Sequence, residues 1–193
     1  MEQDRTIRAF IAIELPANII DALKKIQDEL KDGSNKVAWG KPENIHLTIK
    51  FLGDIEAGKI DGITGLLEDA AAKNRSFAIS VKGTGAFPKT DNPRVLWVGI
   101  EDNKNLLPLY NNLEEGLESL GLKKEERSFK PHLTLGRVKL LSDKKLFKKR
   151  IEKYKDINLG QFTAEGICLF QSKLTPNGAV YVKLKEYRLQ TGD

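Results

Sequence analysis

Only one cysteine, Cys168, occurs among the 193 residues. No disulfide can therefore form within the chain, and a reducing compartment suits it. Long hydrophobic runs are missing as well, since no stretch approaches the roughly 18 apolar residues that a bilayer crossing needs. The opening MEQDRTIRAFIAIEL passes straight into an apolar stretch carrying Arg8 and Glu14. It shows no small-residue cleavage signal, so no secretory address is expected and the cytoplasm is the expected location. Nor does any Pro/Gly/Ser-rich linker divide the chain, which predicts one compact unit over residues 1–193. What is plentiful is ordinary: 40% apolar and 31% charged residues match a soluble globular protein. Net charge is +5 and the pI is near 9.1. That balance favours anionic partners such as nucleic acid or phosphorylated small molecules. The Lys-rich stretch 139–155 reads as the solvated face of a short helix, the alternative being that it lies along a polynucleotide backbone.

Hydrophobic patterning divides the chain into two similar halves. Residues 7–14 are apolar and β-branched, as in a central strand. Pro16 suits a first helical turn, Ile19, Leu23, Ile26 and Leu30 recur at helical spacing, and Gly33 supplies the stop. Strands are expected at 37–39 and 44–51, a helix at 57–72 weakened by Gly58, Gly62 and Gly65, and a strand from Phe77 towards Phe87. The second half repeats the theme with a strand at 94–100, a helix at 106–120 closed by Gly121 and a strand at 131–138. A helix capped by Ser142 then runs to about Tyr154. Two final strands, 162–170 and 180–189, flank a Pro176-Asn177-Gly178 turn. The pattern predicts an α+β, bilobal fold: two pseudo-symmetric β-α-β-β-α-β-like lobes arising by duplication.

Histidine is as scarce as tryptophan, at two residues, and both histidines begin the same motif: His46-Leu47-Thr48-Ile49 and His132-Leu133-Thr134-Leu135. A second histidine would match the first by chance roughly once in 200 times. In a strand His46 and Thr48 share one face, opposite Ile45, Leu47, Ile49 and Phe51; His132 and Thr134 likewise oppose Leu133 and Leu135. Two such strands related by an approximate two-fold axis present two imidazoles and two hydroxyls to a common cleft. In-line displacement at a phosphodiester needs one proton moved at the entering oxygen and another at the leaving oxygen. Imidazole, with an ordinary pKa of about 6.5, can serve as base in one copy and acid in the other. The threonine hydroxyls can donate to the non-bridging oxygens. A zinc site is disfavoured, since catalytic zinc usually takes three protein ligands and only two histidines and a distant Cys168 are on offer.

The stretches RAFIAIELP, NIHLTIKFLG, FPKTDNPRVLWVGI, FKPHLTLGRV and LFQSKLTPNGAVYVKL resemble the two-histidine phosphoesterase superfamily. Within it they are most similar to the RNA 2′,3′-cyclic phosphodiesterases, also called 2′-5′ RNA ligases. That resemblance implies a bilobal fold with antiparallel sheets lining a central cleft. It also implies metal-independent, cofactor-free hydrolysis of an RNA-terminal 2′,3′-cyclic phosphate to a 2′-phosphomonoester. His46 would protonate the leaving 3′ oxygen, His132 would activate water, and Thr48 and Thr134 would bind phosphate; reverse ligation would exchange the histidine roles. Arg137 resembles a phosphate-contacting arginine that follows the second motif. Strict alternation puts it on the face opposite His132, unless Gly136 permits a bulge; the alternative is a surface arginine. Phe51 holds the equivalent place in the first copy. Trp39, Phe87, Trp97 and Tyr181 are expected in the core, with base stacking as their other use. The partner expected is RNA with a cyclic phosphate end, bound by a monomer away from membranes; the competing reading is a non-catalytic module that binds RNA phosphate ends.

Overall fold

The computed structural model describes residues 6–101, 104–176 and 178–191. Among these residues nine strands and four helices follow one another as β1 (Thr6–Ile13), α1 (Ala17–Leu30), β2 (Lys36–Trp39), β3 (Leu47–Glu56), α2 (Ile60–Lys73), β4 (Phe77–Phe87), β5 (Val95–Ile100), α3 (Leu106–Ser119), β6 (His132–Leu140), α4 (Lys144–Lys153), β7 (Asn158–Ala164), β8 (Gly166–Thr175) and β9 (Gly178–Arg188). The fold is α+β with two antiparallel sheets, ordered β3-β1-β8-β9 and β2-β6-β5-β4-β7. We call them the first and second sheet.

Each sheet draws strands from both halves of the chain. The first half sends β2 and β4 into the second sheet, and the second half returns β8 and β9 to the first. In both halves the motif strand pairs with that half's opening strand, β3 with β1 and β6 with β5. The helices cross over too: α1 packs on β7 and α4 on β4 of the second sheet, while α2 and α3 cover the first. Every helix buries one apolar stripe. In α1 this is Ile19, Leu23, Ile26 and Leu30, as the spacing predicts, with Gln27 buried among them. The helix ends at Lys31, ahead of Gly33, whose φ of 73° is open to glycine without strain.

Some boundaries differ from the pattern. The first histidine precedes its strand, because Pro42–Asn44 form a 3-10 turn and β3 begins only at Leu47. Asp143 rather than Ser142 caps α4, its carboxylate accepting from the Leu146 amide at 2.9 Å. The run 162–170 is not one strand: it breaks at Glu165 into β7, an edge of the second sheet, and β8, interior to the first. Of the expected 176–178 turn, Asn177 lies outside the described residues. No helix among the described residues is long and apolar enough to cross a membrane.

Beneath the first sheet a buried ion pair joins the two halves. Lys50 of β3 meets Glu114 of α3, with side chains 8% and 3% exposed. Lys50 also donates to the Lys123 carbonyl at 3.1 Å, and Glu114 accepts from the Glu125 amide at 2.9 Å. Tyr110 of α3 stacks on Phe129, ring centroids 4.2 Å apart. Together these contacts tie down the segment that leads into His132.

Candidate active site

The two motifs are held by the same device. His46 Nδ1 donates to the Asn44 carbonyl at 2.8 Å, and His132 Nδ1 donates to the Lys130 carbonyl at 2.7 Å. A carbonyl can only accept, so the proton of each neutral ring sits on Nδ1 and the lone pair on Nε2 is free for chemistry. Ring orientation is thus fixed by backbone two residues upstream. β3, which follows His46, and β6, which begins with His132, touch each other where the two sheets meet.

The surroundings of the two rings differ. His46 lies flat against Phe10, centroids 4.6 Å apart at 21°, and meets Tyr181 edge-on at 5.1 Å. Phe170 stacks on Phe10 at 5.3 Å and lies 6.3 Å from the His46 ring. His132 instead meets the edge of Phe87 at 4.9 Å, and Phe87 packs on Trp97 at 5.3 Å. Burial pushes the pKa of both imidazoles below the ordinary histidine value, against the opposing effect of the Nδ1 hydrogen bonds. For His132 the positive charge of Arg137 pushes in the same direction as burial. Of the aromatic residues expected in the core, Trp39 packs against the main one and Tyr181 against the smaller cluster beside His46, whereas Phe87 meets His132 and Trp97 packs on Phe87.

Strict alternation fails in both motif strands, at equivalent points. In β3 the register runs Ala12↔Thr48 then Ile11↔Lys50, leaving Ile49 as the extra residue of a bulge. In β6 it runs Trp97↔Thr134 then Leu96↔Gly136, leaving Leu135 extra. Each bulge follows the motif threonine directly and reverses the faces beyond it. Phe51 is therefore not on the buried face with Leu47 and Ile49: it sits opposite Phe10, 5.9 Å from that ring and 64% exposed. Lys50 takes the buried side instead. Arg137, exposed and acting on His132, comes to the histidine face by the same inversion.

Buried Gln27 clamps the second bulge. Its side-chain amide donates to the carbonyls of Leu135 and Gly40, both at 2.8 Å, while the Gly40 amide donates to Leu135 at 2.9 Å. Glycine is needed at 136, where a Cβ would stand 2.9 Å from Val37 Cγ1 and 3.1 Å from the Ala38 carbonyl. Nothing in the local sequence marks Gln27 as part of this arrangement, because its two acceptors lie on other elements. Phe10 and Phe170 were equally hidden as ordinary apolar members of strands.

Cys168 does not join the histidines. Among the described residues its sulfur groups with carboxylates of Glu14 and Glu186, with ligand atoms within 4.8 Å of one another. Lys183 already meets that negative charge, donating to Glu14 at 2.6 Å and Glu186 at 2.7 Å. Burial, followed by the charge of Glu14, pushes the Cys168 thiol up to about 12, so it stays protonated.

Comparison with known proteins identifies the family. The model of the LigT-like phosphoesterase family matches the chain twice, over residues 13–97 and 98–181. A curated RNA 2′,3′-cyclic phosphodiesterase from Methanocaldococcus jannaschii is 41% identical over 181 residues, spanning 94% of this chain and 100% of the relative. Another of that name, from Methanothermobacter thermautotrophicus, is 33% identical over 183 residues, 95% of this chain and 99% of the relative. Among solved structures, TT0787 of Thermus thermophilus superposes with a TM-score of 0.84 at 27% identity, over 97% of this chain and 100% of that one. The fold also matches E. coli LigT complexed with 3′-AMP, with a TM-score of 0.79 at 23% identity over 96% of this chain and 99% of that one. The chain belongs to the LigT-like phosphoesterase family and is an enzyme of that class.

Proposed function

We propose that the protein hydrolyses an RNA-terminal 2′,3′-cyclic phosphate to a 2′-phosphomonoester, with His46 as general acid and His132 as general base. The observation that carries this reading is the duplicated Nδ1–carbonyl bond, which leaves Nε2 free on a ring just ahead of β3 and on one at the start of β6. In the reaction His132 Nε2 takes a proton from water, whose oxygen bonds to phosphorus. The P–O3′ bond breaks in line, and His46 gives its Nε2 proton to the departing 3′ oxygen. Thr48 and Thr134, on the histidine faces, donate to the non-bridging oxygens, and Arg137 neutralises the charge that builds there.

Two asymmetries support this division of roles. Arg137 lowers the pKa of His132 and so favours its neutral, basic form. On the other side Phe51 offers an exposed ring beside the His46 cluster, where a nucleobase can stack. The nucleoside carries the leaving 3′ oxygen, so a base on Phe51 puts that oxygen next to His46. Metal-independent chemistry belongs to this reading, because two imidazoles with free Nε2 atoms can supply both proton transfers. We further read residues 1–193 as one catalytic unit of duplicated origin, acting as a monomer in the cytoplasm; the twofold family match supports the duplicated origin.

The test is direct. Purified protein is incubated with EDTA and a short RNA ending in a 2′,3′-cyclic phosphate, and the product is compared with 2′- and 3′-phosphate standards. Conversion to the 2′-phosphate is the expected result. A folded protein that binds such ends with salt-sensitive affinity and never converts them would support the non-catalytic binding module instead.

A further inference from the structure

The face of the first sheet that carries the His46 cluster, called here its cleft side, extends well past that cluster. Its strands sort cleanly by partner: Ile7, Ala9, Ile11 and Ile13 of β1 face the main core, whereas Phe10 and Ala12 belong to the separate cleft-side cluster. Alternation puts Arg8 on that same cleft side, and it is exposed. Among the described residues Arg8 makes no ion pair within 4 Å, although Asp54 is its cross-strand neighbour on β3. On β8 the cleft-side positions are Cys168 and Phe170. Alternation continues that row to Ser172 and Leu174, and Tyr181, which packs on the cluster, stands directly opposite Ser172. No register shift intervenes between Phe170 and the hairpin tip. Leu174 is 75% exposed, the highest value among the exposed large apolar side chains of the described residues.

These residues form two rungs beyond Phe51–Phe10–Phe170. Strand geometry puts Arg8 with Ser172 and Tyr181 roughly 7 Å out, and Leu174 roughly 7 Å farther along the same face. An unpaired guanidinium followed by a bare apolar side chain is the order in which an RNA strand presents its next phosphate and next base.

We propose that Arg8 and Leu174 form a subsite for the penultimate nucleotide of an RNA 3′ end. Arg8 binds the internal phosphodiester and Leu174 contacts the penultimate base. This rests on the phosphodiesterase reading above and deepens it: the preferred substrate is an oligoribonucleotide end rather than a mononucleoside cyclic phosphate. Arginine suits the task because its planar fork pairs with phosphate oxygens through charge-assisted bonds.

The experiment compares kcat/KM for adenosine 2′,3′-cyclic phosphate with that for the dinucleotide CpA bearing the same cyclic end. The wild-type protein should favour the dinucleotide by about ten-fold, the value of one good charge-assisted contact. That ratio should fall to near unity in Arg8→Gln, diminish in Leu174→Ser, and shrink in the wild type as salt is raised. Equal kcat/KM values in the wild type, or a preference that survives both substitutions, would overturn the subsite while leaving the phosphodiesterase intact. Turnover of neither substrate would overturn the phosphodiesterase reading, and the subsite with it.

Discussion

At the residue scale the two imidazoles do different work because their neighbours differ. Replacing His46 or His132 with Ala should each reduce kcat on the order of 10²–10⁴-fold while the far-ultraviolet circular dichroism stays native; retained turnover in both variants would remove the acid–base account. The pH dependence follows from the direction of the shifts. Activity needs neutral His132 and protonated His46, and both pKa values lie below the ordinary one, so both limbs of kcat/KM in the free enzyme fall on the acidic side of neutrality. Arg137→Gln removes a positive charge that disfavours the His132 imidazolium, so that pKa rises and the acidic limb moves to higher pH. The same variant should bind phosphate more weakly, which is read as a rise in KM. An acidic limb that stays where it is would show that Arg137 does not act on His132.

At the level of elements the two bulges matter most, and they are where the sequence was least legible. The His-Leu-Thr motifs announced themselves by repetition, and the faces of Thr48 and Thr134 followed from period-two alternation. Beyond each threonine the pattern misled, because a bulge is decided by hydrogen bonds to the partner strand rather than by residues within the motif. Ile49 and Lys50 are both buried, so a purely alternating strand puts Lys50 in the cleft and Phe51 in the core, the reverse of what is found. Gly136 did carry a signal, since its permissive backbone made a bulge at Arg137 conceivable. Gln27 gave none. Gln27→Leu keeps the size of the side chain but takes the Gln27 donor from both carbonyls, leaving Leu135 only its bond from the Gly40 amide, which should cost about 1–3 kcal/mol in denaturant unfolding. Turnover should fall with it, because Arg137 loses its aim; an active variant with an unmoved unfolding midpoint would show that the clamp is dispensable.

For the molecule as a whole, most of the nine strands and all four helices were visible in hydrophobic periodicity, but their partnership was not. The order β3-β1-β8-β9 depends on long-range pairing that local pattern does not encode, and the continuous alternation through Glu165 concealed the point where the chain leaves one sheet for the other. The ion pair of Lys50 and Glu114 is a consequence of that interweaving, since it joins β3 of one half to α3 of the other. Glu114→Ala leaves Lys50 buried and unpaired and should destabilise the protein by about 3–5 kcal/mol. Combining Lys50→Met with Glu114→Leu should recover most of this stability in thermal unfolding. A double variant as unstable as the single one would show that the bonds to Lys123 and Glu125, not the unpaired charge, dominate.

The division of labour between the histidines is the central claim, and a sulfur substitution tests it most directly. The measurement is turnover, with EDTA, of a nucleoside 2′,3′-cyclic phosphate and of its analogue with sulfur at the bridging 3′ position, in His46→Ala and His132→Ala. A thiol has an ordinary pKa of about 8.5, so the thiolate departs without a proton from the enzyme. His46→Ala should therefore regain much of its lost turnover on the sulfur analogue, while His132→Ala, which cannot activate water, should remain slow on both. Recovery in His132→Ala instead, or equal behaviour of the two variants, would contradict the assignment.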